Sequence, residues 1–147
     1  MKVYFDTNVL VAGLKAEHIH HAPSFAAITR VFRGELEGMI AAHSLAELYS
    51  VLTRTPFDVK VYPDEARAMI EESIMPFFRV IEVSAQAHLL AIASCASAGW
   101  KGGRVHDAVH IQVAVQAQCE LIYTFDVAHL RSLAPEWGER IQAPPRT

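Results

Sequence analysis

Cysteine is scarce in this sequence: Cys95 and Cys119 are the only two in 147 residues, they form no CxxC spacing, and both stand in apolar, Ala-rich segments that read as helix. That argues against a disulfide framework or a cysteine-based zinc site and makes buried thiols the expectation. Long hydrophobic runs are missing too. With no apolar stretch of 18 or more residues, a membrane-spanning helix is not expected. Only Val3 to Phe5 separate Lys2 from Asp6, too little for the apolar core of a signal peptide, so the expected location is the cytoplasm. There is no basic excess either: 13 Lys and Arg face 16 Asp and Glu, a net charge of -3, so no global field draws nucleic acid to the chain. Any RNA binding must use local patches, together with a cation that reverses the sign of an acidic site. Fixed-period repeats and low-complexity tracts are also absent, which leaves one domain over residues 1–142 and a short Pro-rich tail over 143–147.

What is present is apolar material for a core, 52% of residues being hydrophobic. Short apolar runs of strand length fall at Lys2 to Phe5, Gly38 to Ala42, Arg79 to Val83, Leu121 to Thr124 and, more weakly, Glu139 to Gln142. Between them, helical spacing marks Pro23 to Phe32, Ser44 to Arg54, Pro63 to Met75, Ser84 to Ala98 and Val105 to Gln118. Pro23 and Pro63 suit first-turn positions, and Ser44 and Ser84 suit N-caps. Strands alternating with helices require crossover connections and parallel pairing, hence an α/β fold: a three-layer α/β/α sandwich around a mainly parallel five-stranded sheet. Ligands of such sheets bind beyond the carboxyl ends of the strands, where strand order reverses.

Four acids belong at that edge. Asp6 ends the first strand in Val3-Tyr4-Phe5-Asp6-Thr7-Asn8, and Asp126 follows the fourth in Tyr123-Thr124-Phe125-Asp126. Glu47 lies at the start of the helix after the second strand, and Asp107 opens the helix that returns to the fourth. Individually each has a plainer explanation: Ser44 and Glu47 have capping-box spacing, Asp107 suits a helix dipole, and Asp126 suits an N-cap. Asp6 resists such a reading, because a carboxylate ending a buried strand must be solvated or coordinated. Together the four would repel one another without a cation. All-oxygen donors select Mg²⁺ or Mn²⁺ over zinc, and such an ion suits phosphodiester hydrolysis.

The ordered set Phe5-Asp6-Thr7-Asn8, Glu47, His106-Asp107-Ala108 and Thr124-Phe125-Asp126 resembles the PIN-domain family over nearly the whole chain, Met1 to about Gln142. The resemblance implies strand order 3-2-1-4-5 and a metal-dependent endoribonuclease. It implies that Asp6 and Asp107 are the principal metal ligands, that Glu47 and Asp126 complete the acidic pocket, and that Asn8 and Thr124 support it. Small members of the family are mostly VapC-type toxins, so the same resemblance implies a VapB-like antitoxin and a homodimer.

Three further stretches carry expectations. In Gly99-Trp100-Lys101-Gly102-Gly103-Arg104, Lys101 and Arg104 can meet backbone phosphates while Trp100 stacks an unpaired base, which favours single-stranded or looped RNA; a solvated helix-to-helix loop explains it as well. The segment Arg54 to Pro63 carries apolar residues that suit either a partner contact or core cover. His106 and His110, at i and i+4, have a zinc-capable spacing but lack the glutamate of HExxH, which leaves His110 as a half-buried helix residue and the cluster His18, His20, His21 as a solvated loop. A non-catalytic binding module built on this fold is the competing functional reading.

Overall fold

In the computed structural model, which describes residues 1–146, five parallel strands form one sheet in the order β3-β2-β1-β4-β5. The strands are β1 (Lys2–Phe5), β2 (Glu37–Ala41), β3 (Arg79–Ile81), β4 (Leu121–Tyr123) and β5 (Ile141–Gln142). The helices are α1 (Thr7–Leu14), α2 (His21–Phe32), α3 (Ala42–Arg54), α4 (Pro63–Met69), α5 (Ala85–Ala98), α6 (Arg104–Gln116) and α7 (Val127–Leu133). A π-helical turn, Ile70–Ile74, continues α4, and a 3₁₀ segment, Pro135–Arg140, precedes β5. Among the described residues no helix is long and apolar enough to cross a membrane. The expected α/β sandwich and strand order are both present.

The period-two alternation of β1 builds two cores. Val3 and Phe5 face one side and pack with α1, α2 and α3, whereas Tyr4 faces the other with Ile111, Val113 and Ala114 of α6. A third cluster joins Ala91 and Cys95 of α5 to Ala108 and Val109 of α6. β1 is central, pairing Val3 with Gly38 of β2 and with Leu121 of β4, so its side chains are enclosed on both faces. Both cysteines are buried free thiols, as expected, and burial pushes the Cys119 thiol up to about 11.

The elements differ from the sequence reading in instructive places. Helix α1 was not anticipated, because Thr7 to Leu14 is apolar on nearly every side and has no polar face to reveal the helical period; Val9, Leu10, Val11 and Ala12 are all buried. Its start is set by Asp6, whose side chain accepts from the Thr7 N–H. Helix α3 begins at Ala42 rather than at Ser44, which overturns Ser44 as an N-cap and removes the capping-box explanation of Glu47. Ser44 is fully buried, and its Oγ has no hydrogen-bond partner among the described residues. Helix α2 starts at His21, two residues before the expected Pro23, which leaves Pro23 in the first turn. The helix expected to run from Pro63 to Met75 turns π-helical at Ile70. Ser84 does cap α5, accepting from Ala87 N at 3.1 Å, and Gly99 closes that helix in the left-handed region at φ 72°. Pro144 of the tail is buried, and Thr147 lies outside the described residues.

Candidate active site

The carboxyl ends of β1 and β4 lie side by side, and the Asp6 N–H donates to the Tyr123 carbonyl at 2.9 Å across that seam. The side chain of Asp6 is held by three donors: Thr7 N at 2.8 Å on Oδ1, and on Oδ2 Thr124 Oγ1 at 2.8 Å and Asn8 Nδ2 at 3.4 Å. Asn8 Oδ1 in turn accepts from Phe125 N at 3.2 Å, while Thr124 Oγ1 accepts from Asp126 N at 3.0 Å. Asn8 and Thr124 therefore tie the two strand ends together around one carboxylate. Burial pushes the Asp6 carboxyl above its ordinary range; His110 and the Thr124 hydrogen bond oppose the rise, and the charge of Asp107 adds to it.

Glu47, on the second turn of α3, receives Thr7 Oγ1 at 3.1 Å and His110 Nε2 at 2.7 Å, both on Oε1. His110 is 4% exposed, not half-buried, and its Nδ1 is hydrogen-bonded to the Tyr4 hydroxyl. Burial by itself raises a carboxylic acid and lowers an imidazole. Here the hydrogen bond and opposite charge outweigh it: Glu47 is held below its ordinary range and His110 above. Burial drives the Tyr4 phenol far upward, so it remains a neutral hydroxyl.

Asp107 stands in the first turn of α6, and its Oδ2 meets His129 Nε2 of α7 at 2.9 Å. Asp126 is the exposed residue preceding α7, and its side chain makes no capping bond. All four acids line one cleft of about 540 Å³, together with His18, His43 and Arg54.

The four acids at this cleft offer carboxylate oxygens, and the ionisation of one of them is opposed by burial and by a neighbouring acid, which fits a hard divalent cation. Among the described residues no three acids, histidines or cysteines stand in ligating positions around one point, and each acid except Asp126 accepts from a protein side chain. Nor do the histidines make a zinc site: His110 turns inward to Tyr4 and Glu47, while His43 stacks on His106 with ring centroids 6.0 Å apart.

Trp100, Lys101 and Arg104 do not line the cleft. The Arg104 guanidinium lies 5.7 Å from the Trp100 ring, and Trp100 packs beside Val105 against the cluster shared by α5 and α6. Arg54 is the arginine that lines the cleft instead. Sequence reasoning passed over Tyr4, Thr7, Arg54 and His129, and it undervalued His110 and His18. Two of these had a readable signal: His110 and His129 each follow a site acid by three positions, one helical turn along the same face.

This chain belongs to the PIN domain family, whose model matches residues 3–134. It is similar to Ribonuclease VapC27 of Mycobacterium tuberculosis, with 32% identity over 117 residues, 79% of each chain. The crystal structure of Mycobacterium tuberculosis VapC20, described as a sarcin-ricin loop cleaving toxin, superposes with a TM-score of 0.69 at 18% identity, covering 88% of this chain and 94% of that one. VapBC2 of Rickettsia felis, solved bound to a DNA fragment from its promoter, gives a TM-score of 0.66 at 14% identity over 91% of this chain and 94% of that chain. At these identities the two structures establish the shared fold.

Proposed function

We propose that this chain is a divalent-metal-dependent endoribonuclease of the VapC type, the toxin of a toxin–antitoxin pair. The observation that carries the reading is the convergence of Asp6, Glu47, Asp107 and Asp126, from four separate elements, on one cleft at the carboxyl edge of the sheet. The 32% identity to a named ribonuclease across most of both chains supports it.

Asp6 and Asp107 are the residues that would hold Mg²⁺ or Mn²⁺, with Glu47 and Asp126 completing the acidic wall. When bound, such an ion offsets charge on a phosphodiester and makes a water more acidic. Thr124 and Asn8 fix the Asp6 carboxylate by hydrogen bonds, which restricts the orientations it can take. His129 orients Asp107 in the same sense. Arg54, on the cleft wall, supplies a cation for a substrate phosphate, whereas Lys101 and Arg104 are left for backbone contacts outside the cleft.

The VapC likeness is the ground for assigning a VapB-like antitoxin and a homodimer. The exposed Val59 and Tyr62, in the segment between α3 and α4, offer apolar contact area for the antitoxin. A non-catalytic module gains nothing from keeping four mutually repelling acids on one cleft, which favours the enzyme.

The test is incubation of the purified protein with total RNA and Mg²⁺ or Mn²⁺, beside EDTA and Asp107→Asn controls. Cleavage that depends on both, leaving 5′-phosphate ends, is expected. Cleavage that survives both, or that leaves cyclic phosphates, would contradict the mechanism.

A further inference from the structure

The polar groups beneath the cleft form one chain through four elements: Tyr4 of β1, His110 of α6, Glu47 of α3 and Thr7 of α1. His110 is the buried link at the middle of this chain. It is enclosed by the core, and its two ring nitrogens are both engaged, Nδ1 by the Tyr4 hydroxyl and Nε2 by Glu47. Whether the Tyr4 hydroxyl donates to Nδ1 or accepts from it, Nε2 carries a hydrogen and donates to Glu47 Oε1. Both bonds that Glu47 receives end on that same oxygen; Oε2 has none among the described residues, although Glu47 lines the cleft. A carboxylate fastened by one oxygen presents the other in a single orientation.

We infer that His110 is a positioning residue of the active site, which fastens Glu47 Oε1 from below and so presents Oε2 to the cation-binding cleft. The inference rests on the nuclease reading above and deepens it. Glu47 sits on a side chain with three rotatable bonds, and fixing it removes rotamer entropy that would otherwise be lost when the ion and substrate bind. His129 holds Asp107 similarly but is about a third exposed, so its donor is replaceable by water; the buried His110 has no such substitute.

The experiment compares wild type with His110→Gln, whose amide can still donate to Glu47, and His110→Leu, which fills the space without a donor. Two readouts are taken: Mn²⁺ binding by calorimetry, and steady-state cleavage of an RNA oligonucleotide. His110→Leu is expected to weaken Mn²⁺ binding or kcat by about 10–100-fold, the usual effect of deleting a partner that orients a metal-site carboxylate. KM for RNA stays unchanged, and His110→Gln recovers most of the loss. Because His110 acts through Glu47, the double variant with Glu47→Gln loses no more than Glu47→Gln alone. Additive losses, or a folded His110→Leu that binds Mn²⁺ and cleaves as wild type does, overturn the inference. If His110→Leu does not fold, Tyr4→Phe, which frees the far side of the ring, is expected to lower Mn²⁺ affinity several-fold, and unchanged affinity counts against it. A wild type that binds Mn²⁺ in a His110-dependent way yet leaves RNA intact refutes the nuclease reading and leaves this one standing.

Discussion

Thr124 Oγ1 donates to Asp6 Oδ2 at 2.8 Å although 118 positions separate the two residues. The bond exists because β4 lies beside β1, so that each strand ends at the same level and each contributes a polar side chain there. The carboxylate it steadies is also the one whose ionisation the fold resists most plainly.

That resistance makes the ionised form of Asp6 costly relative to its protonated form in the metal-free protein. An acid whose folded pKa is raised costs stability once pH rises above its unfolded value, and that cost is relieved as pH falls back. Asp6→Asn is therefore expected to melt higher than wild type in EDTA at pH 7, a gain of roughly 2–4 °C for each kcal/mol relieved. It should lose the stabilisation by Mn²⁺ and at least about 100-fold in cleavage. A variant that melts lower in EDTA, or that is still stabilised by Mn²⁺, would show that Asp6 is not the strained ligand.

The pair Glu47–His110 has the opposite sign. His110, raised, contributes stability that is complete below its ordinary 6.5 and fades as pH climbs through its folded value. Glu47, lowered, contributes stability that is complete above its ordinary 4.5 and fades as pH falls through its folded value. Urea unfolding in EDTA should therefore show the largest gap between wild type and His110→Gln between these two values. A gap that widens steadily toward alkaline pH would refute the assignment.

Arg54→Ala tests the substrate face of the cleft. If Arg54 meets a phosphate, the variant raises KM for RNA several-fold with kcat little changed, and the slope of log affinity against log salt becomes shallower by about one. An unaltered salt slope would place the phosphate contacts elsewhere, with Lys101 and Arg104 the first to examine.

Ser44→Ala distinguishes a cap from a buried hydroxyl. Loss of an N-cap costs about 1 kcal/mol, whereas removal of an unpaired buried hydroxyl is close to neutral or mildly stabilising. The second outcome is expected in denaturant titrations, with cleavage unaffected.

Gly38→Ala probes the seam between β2 and the helices above it. An added Cβ would stand 2.7 Å from the Phe78 ring and 3.0 Å from Val31 Cγ2, and overpacking of this kind costs about 1–3 kcal/mol. A thermal melt that does not move would show that Phe78 yields freely.

Much of this arrangement was legible in the linear chain. The strands needed only short apolar runs, and the alternation of strands with amphipathic segments dictated parallel pairing through crossovers. The four acids could be picked out because strand ends and helix starts are local features, and their order matched a known family. α1 escaped notice for a physical reason: a helix buried on nearly all sides carries no amphipathic signal, so Thr7 to Leu14 show no helical period.

Partnership, by contrast, was decided in three dimensions. Ser44 and Glu47 have the spacing of a capping box, yet α3 starts two residues earlier and Glu47 answers to Thr7 and His110 across the fold. Trp100 and Arg104 have the chemistry of an RNA platform, yet they settle on each other and on α6. The sequence by itself determined which residues carry charge and at which end of each element they stand, because hydrophobic period and capping act over a few residues. Only the tertiary structure decided which donor each carboxylate takes, because an ionised group withdrawn from water is stabilised by whatever donor the packing of other elements brings within 3 Å or so.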